Sequence, residues 1–230
     1  MKVIFLNLNY GRNDFEGVLN FIIENIESDI FCFQEIKDEI KNEIDSILKD
    51  FESSFISKEL GEFGSFNLAT YINKKYENFS FEIIEDNLQQ TTPAIFLEIS
   101  SGNSKWNILN FHGQPFPGDK LDTEDRINAS KRLIKFMNNK NGYKIIGGDF
   151  NLLPETKSIT SFENFGYQNL IKKFKIKTTR NNNAWKLYLD KQYFADYAFV
   201  SDNVEIKKFE VIENMISDHL PQILEIENRF

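Results

Sequence analysis

The chain has 230 residues, 41% of them hydrophobic, and a formal charge of −8. That length and apolar content suffice for one large core, and the acidic balance argues against a general polyanion binder working by counterion release. It does not exclude a phosphate substrate, because a bound divalent cation would dominate the local field. The single cysteine, Cys32, excludes an internal disulfide framework and fits a reducing compartment.

Lys2 to Asn9 opens with Val3, Ile4, Phe5 and Leu6, apolar on consecutive positions, which predicts a strand covered on both faces and ending at the amides Asn7 and Asn9. Asp14 is placed to cap a helix whose apolar residues Phe15, Val18, Leu19, Ile22, Ile23 and Ile26 follow the 3.6-residue period. A second buried strand, Asp29 to Phe33, holds Cys32 as a buried free thiol and runs directly into Gln34 and Glu35. Ile36, Ile40, Ile44, Ile47 and Leu48 mark a second amphipathic helix.

The middle of the chain changes character. Phe51–Ser57, Ser65–Asn73, Phe79–Glu85, Ala94–Ser100 and Trp106–Phe111 read as strands joined by short polar turns, hence antiparallel meanders inside a mixed sheet. The last of them ends in His112-Gly113, and a Pro/Gly loop runs on to Leu121. A helix from Thr123 to Asn138 is expected to turn Ile127, Leu133, Ile134 and Met137 inward.

Lys144 to Pro154 follows, with Ile145 and Ile146 meeting Gly147-Gly148 and then Asp149 and Asn151. Two glycines after a buried strand permit a tight turn or the close approach of a ligand. Asp149 and Asn151, two apart, share one side of an extended chain. The pair suits a phosphate site, and equally a polar turn after a core strand. Ile171 to Lys186 carries Lys172, Lys173, Lys175, Lys177, Arg180 and Lys186 without an acid, the usual mark of a solvated lysine face. Ala195–Ser201, Val204–Val211 and Leu220–Ile226 read as closing strands, with Ser217-Asp218-His219 before the last.

No linker, repeat or low-complexity tract divides the chain, so residues 1–230 are expected to form one domain of α/β or α+β type, two sheets face to face with helices outside. No signal peptide or apolar span is visible. A cytoplasmic monomer without a membrane partner is the expectation. Both histidines, His112 and His219, stand at polar strand ends rather than on apolar helix faces, which points to chemistry. Glu35, Asp149 and Asp218 are hard-metal ligand types suited to Mg²⁺, whereas one cysteine and two distant histidines offer no standard zinc set.

Asn7-Leu8-Asn9, Gln34-Glu35, Asn110-Phe111-His112-Gly113, Gly148-Asp149-Phe150-Asn151, Ala195 to Val200 and Ser217-Asp218-His219 occur in this order. Together they resemble the endonuclease/exonuclease/phosphatase family from Asn7 to His219, in particular its small bacterial members with a Thr-Arg pair before the Asp-Tyr strand, here Thr179-Arg180. The resemblance implies a four-layered α/β sandwich and a divalent-metal-dependent phosphohydrolase, a phosphodiesterase or nuclease ahead of a phosphomonoesterase for a small sugar or nucleotide phosphate, or else a binding module that keeps the fold without activity. It implies Glu35, Asn7 and Asp218 as ligands of Mg²⁺ or Mn²⁺. Asp149 and Asn151 would position water and phosphate, His219 held by Asp196 would act as base or oxyanion stabiliser, and His112 would sit near the phosphate or leaving group. Arg180 and Asn9 would contact the phosphate-ester substrate, with nucleic acid or a nucleotide among the candidates. The arginine and glutamate common in pancreatic-type deoxyribonucleases are replaced here by Thr91-Thr92 and Asn67.

Overall fold

The computed structural model of the chain describes residues 1–59, 65–85, 92–102, 104–185 and 192–227. The strands β1 (Lys2–Asn7) and β2 (Ile30–Gln34) pair in parallel, and the crossover between them carries α1 (Phe15–Glu24). Asp14 caps α1 by accepting a bond from the Gly17 N–H, as its position before the apolar run predicts. After α2 (Asp38–Ile47), β3 (Phe51–Glu59) and β4 (Ser65–Asn73) add antiparallel to the β2 side.

The second sheet repeats the plan. Its edge begins with β5 (Phe79–Ile84) and β6 (Ala94–Ser101); its centre is the parallel pair β7 (Ser104–His112) and β8 (Tyr143–Asp149), joined through α3 (Glu124–Asn138). The chain then forms α4 (Lys157–Asn164), β9 (Tyr167–Asn169), α5 (Leu170–Lys173) and α6 (Asn182–Trp185). β10 (Asp196–Ser201) pairs antiparallel with β8, and β11 (Ile206–Val211) and β12 (Gln222–Ile226) return to the first sheet beside β1. Among the described residues this gives two six-stranded mixed sheets, and with the helices the four-layered α/β sandwich expected from the sequence.

Side-chain alternation along each strand separates two cores. Ile4, Leu6, Phe31 and Phe33 pack against Val18, Phe21 and Ile22 of α1 and Ile40 and Ile44 of α2. Val3, Phe5, Ile30 and Cys32 point the other way, into the core shared with the second sheet and with Leu133, Ile134 and Met137 of α3. This is why consecutive positions of β1 and β2 are apolar: both faces are covered. The sheets approach closely where Phe5 meets Gly147, since a Cβ there would lie 2.6 Å from the Phe5 ring.

Some local readings shift. Strand β1 stops at Asn7, and Asn9 opens a short 3-10 turn, Asn9–Gly11, instead of extending the strand. Ile127 is only half-buried; Arg126 and Ser130 take the inward positions of α3, because the guanidinium finds carbonyl acceptors in the preceding loop.

Parallel pairing places Asn7 level with Gln34 and His112 level with Asp149. The carboxyl ends of all four parallel strands therefore emerge at one edge of the sandwich, the end at which open α/β sheets offer ligands a crevice. The antiparallel neighbours start there: Asp196, first residue of β10, pairs with Asp149, and the loop before β12 brings Ser217 Oγ to the Asn7 carbonyl at 2.7 Å.

Candidate active site

Two residues beyond Phe5 and Gly147, on the same facing sides of β1 and β8, stand Asn7 and Asp149. Asn7 Nδ2 donates to Asp149 Oδ2 at 2.9 Å and to Glu35 Oε1 at 3.1 Å. Its Oδ1 accepts the Asn9 N–H at 2.9 Å, and that main-chain donor sets which end of the amide faces the carboxylates. Asn7, implied above as a metal ligand, here bridges two carboxylates with its nitrogen. Below this level Gln34 Nε2 donates to Asn110 Oδ1 at 2.6 Å, and Asn110 Nδ2 donates to the carbonyls of Phe33 and Ala69. Buried amides of the two sheets thus bond to each other and tie the sheets together under the cleft.

His219 lies on the other side of Asp149. Its Nδ1 is 2.9 Å from both carboxylate oxygens of Asp196, and its Nε2 is 3.7 Å from Asp149 Oδ2. A carboxylate only accepts, so Nδ1 carries the proton and Nε2 faces the cleft. Burial disfavours charge on His219, yet Asp196, Asp218 and Asp149 together outweigh it and raise its pKa to about 9. Burial likewise works against ionisation of Asp149, but His219, Lys120 and His112 hold its pKa below the usual carboxylate range. Thr179 Oγ1 receives the N–H groups of Ala195 and Asp196 at 3.1 and 3.2 Å, fixing the start of β10.

His112 is 2% exposed, tilted against the Phe66 ring at 5.0 Å between centroids. Among the described residues neither of its ring nitrogens has a hydrogen-bond partner. Its Nε2 lies 3.6 Å from Glu35 Oε1 and 3.8 Å from Asp149 Oδ2, too far for a hydrogen bond and suited to a guest between the three groups. Asn151 is anchored by its own N–H to Asp149 Oδ1 at 2.8 Å, and its Nδ2 donates to the Gly113 carbonyl at 3.1 Å. Close backbone approach requires the neighbouring glycine: a Cβ on Gly113 would lie 2.3 Å from the Phe150 carbonyl oxygen.

The resulting cleft has a volume of 590 Å³ and is lined by Asn9, Glu35, His112, Asp149, Asn151, Arg180, Asp218 and His219 among the residues singled out in the sequence. Asn7 and Asp196 lie behind its wall, joined to it by the bonds above. Arg180 forms an ion pair with Asp218 at 3.2 Å, and a short antiparallel bridge sets Arg180 beside His219. The sequence reading missed Lys120, Tyr10, Arg12, Lys37 and Phe66, which also line the cleft. Phe66 reads as an ordinary apolar strand residue of β4, the other four stand in no periodic pattern, and Lys120 lies in the Pro/Gly loop. Asn9, Tyr10, Glu35, Lys120 and Asn151 all have positive φ, between 45° and 57°. Such conformations cost energy in residues with a Cβ and gather where a site must be held in shape. Lys172, by contrast, is exposed and pairs with Glu163 at 2.8 Å. Thr91, Lys186 and the side chain of Trp185 lie outside the described residues.

Two trios bring their ligand atoms within 4.8 Å of one another among the described residues: Glu35, His112 and Asp149, and Asp149, Asp196 and His219. In the second, Asp196 and His219 already satisfy each other. The first combines two carboxylates with a buried imidazole lacking a hydrogen bond, so the residues present fit a divalent cation there. Asp218, implied above as a metal ligand, is in neither trio and is engaged by Arg180.

Two mixed sheets stacked face to face, with carboxylates, amides and histidines gathered at the ends of their parallel strands, make a four-layered α/β sandwich with a polar cleft at one edge. The chain matches the model of the Endonuclease/Exonuclease/phosphatase family over residues 4–219 and belongs to that family, whose members are generally phosphoester hydrolases. A solved endonuclease/exonuclease/phosphatase from Bacteroides vulgatus is similar with a TM-score of 0.78 at 15% identity, covering 98% of each chain. A mannosyl-6-phosphatase of Bacteroides thetaiotaomicron VPI-5482 gives 0.72 at 15% identity, covering 99% of this chain and 100% of that one. D. rerio TDP2 complexed with single strand DNA product gives 0.76 at 13% identity, covering 99% of both. Comparison with curated protein sequences gives no match. Among the described residues no helix is long and apolar enough to cross a membrane.

Proposed function

We propose that the protein is a divalent-metal-dependent phosphohydrolase that cleaves phosphodiesters, with nucleic acid as the leading substrate class. The observation that carries this reading is the position of Asp149. Its carboxylate is gripped by Asn7 on one side, faces His219 Nε2 on another, and lies beside Glu35 and His112. Mg²⁺ or Mn²⁺ held by Glu35 and Asp149 would neutralise charge on the phosphoryl oxygens. Asn7 keeps those two carboxylates in register. Asp149, ionised at neutral pH, orients the attacking water and accepts its proton. His219, protonated and aligned by Asp196, donates from Nε2 to a phosphoryl oxygen as negative charge builds there. Asn151 donates to another oxygen, and Arg180 adds positive charge at the cleft wall.

The cleft volume of 590 Å³ leaves room for groups on both sides of a phosphate. Among the structural relatives, one is described as complexed with single strand DNA product and another is named a mannosyl-6-phosphatase. The second keeps a monoester of a small sugar phosphate as the alternative. A non-catalytic binding module is disfavoured by the retention of Glu35, His112, Asp149, Asn151, Asp196, Asp218 and His219 around one cleft. The deciding experiment compares hydrolysis of bis-p-nitrophenyl phosphate and p-nitrophenyl phosphate with Mg²⁺, with Mn²⁺ and with EDTA, followed by DNA, RNA, nucleotides and sugar phosphates. Metal-dependent cleavage of the diester ahead of the monoester supports the proposal; a preference for monoesters selects the alternative; no hydrolysis of any of these returns the binding module.

A further inference from the structure

Lys120 sits in the loop between β7 and α3, and that loop is held in one shape by several strong restraints. Buried Arg126 donates to the carbonyls of Gln114, Pro117 and Leu121 over 2.6–3.2 Å. Gln192 Nε2 donates to the Gly118 carbonyl at 2.7 Å, and the Leu153 N–H to the carbonyl of Lys120 itself at 2.8 Å. The Lys120 backbone is forced to φ 57°, and the residue is only 5% exposed, although lysine is among the residues least often buried. A lysine with no task beyond solubility needs none of this.

The buried side chain ends at Asn151, its Nζ donating to Asn151 Oδ1. An ammonium has donors only, so it fixes the carboxamide with oxygen toward Lys120 and nitrogen toward the Gly113 carbonyl and the cleft. Turning the amide over would set N–H against ammonium and oxygen against oxygen. One of the three ammonium hydrogens is used in this bond. The charge lies close enough to Asp149 to help keep that carboxylate ionised.

We infer that Lys120 is a substrate-contacting residue of this site, donating a hydrogen bond to a non-bridging oxygen of the bound phosphoryl group while it holds the Asn151 carboxamide with its nitrogen toward the same group. The inference rests on the phosphohydrolase reading above. The proton stays on Lys120 throughout: burial lowers its pKa, with Asp149 opposing, to about 8, which leaves it charged at neutral pH. Arg126 is then a positioning residue, acting through the loop.

The test titrates inorganic phosphate into the Mg²⁺-loaded wild type, Lys120→Met and Lys120→Arg by calorimetry. It is paired with bis-p-nitrophenyl phosphate kinetics, Mn²⁺ affinity by electron paramagnetic resonance, and the Asn151 side-chain amide signal by NMR. Lys120→Met is expected to weaken phosphate binding by about 10- to 100-fold and kcat by about 10²–10³-fold. It should shift the Asn151 amide signal without weakening Mn²⁺ binding. Lys120→Arg should recover part of the phosphate affinity, and if the methionine variant fails to fold, the comparison of Lys120→Gln with Lys120→Arg decides in its place. Wild-type phosphate affinity and kcat in folded Lys120→Met, or in Lys120→Gln, would overturn the assignment and leave the lysine a structural counter-charge. If the wild type neither binds phosphate nor cleaves any ester, the phosphohydrolase reading falls, and the phosphate contact of Lys120 with it.

Discussion

Both carboxylate oxygens of Asp196 lie 2.9 Å from Nδ1 of His219, and this pair aims Nε2 at the cleft. Loss of a positioned donor of this kind typically lowers turnover by about 10²–10⁴-fold. His219→Ala is expected to fall in that range, and Asp196→Asn to fall the same way because the ring loses the carboxylate that keeps it protonated and aligned. Because the two act as one unit, the double variant should be little worse than the worse single one. Multiplicative losses in kcat would show that they act independently.

Glu35 projects into the cleft beside Asp149 and His112 from a backbone with φ 53°. Glu35→Gln should weaken Mg²⁺ and Mn²⁺ binding by at least about 10-fold, because a hard cation loses an anionic ligand. Its melting temperature should stay within a few degrees of the wild type. A metal titration that superimposes on the wild type would remove Glu35 from the cation site.

Arg180 pairs with Asp218 at the cleft wall, whereas Lys172 pairs with Glu163 on the surface. Arg180→Ala should raise KM or lower kcat for phosphate esters by about 10-fold or more. Lys172→Ala should leave both unchanged within about twofold, since exposed ion pairs contribute little. Equal small effects from both substitutions would assign the whole basic stretch to solvation.

Gly148 has φ +129°, and a Cβ there would lie 2.0 Å from the Phe111 carbonyl oxygen. Neighbouring β7 cannot yield without breaking its ladder with β8. Gly148→Ala should therefore cost about 3 kcal/mol or more in chemical denaturation, through clash and strain together. A loss under about 1 kcal/mol would mean that the ladder shifts to make room.

Asp122 joins the loop after β7 to α4: its carboxylate accepts the N–H groups of Lys157 and Ser158 and the Ser158 hydroxyl, at 2.6–3.0 Å. Partial burial works to raise its pKa, but these bonds and the Lys157 charge leave it lowered. A carboxylate with a folded pKa below its unfolded one stabilises the fold above the unfolded value, and that contribution fades as pH falls through the folded one. Asp122→Ala should lose about 1 kcal/mol at pH 7, comparable to the loss of a helix N-cap. The difference from wild type should shrink in melts taken below about pH 4, near the usual Asp pKa. A difference independent of pH would trace the effect to packing.

The sequence by itself determined the two-sided burial of β1 and β2, the cap of α1 and the order of the polar strand ends. Each is written locally, as alternation, a capping carboxylate or a short motif. It also marked ten residues, eight of which line the cleft while Asn7 and Asp196 back it. Only the tertiary structure decided which atoms meet. Asn7 turns its nitrogen toward Glu35 and Asp149 because the Asn9 N–H claims its oxygen, a choice no spacing encodes. Lys120 joins the site because Arg126, Gln192 and Leu153, remote from one another in the chain, hold its loop against Asn151. A loop has no period to read; its shape is set by the carbonyls and donors that close around it, and those come together only when the two sheets have stacked.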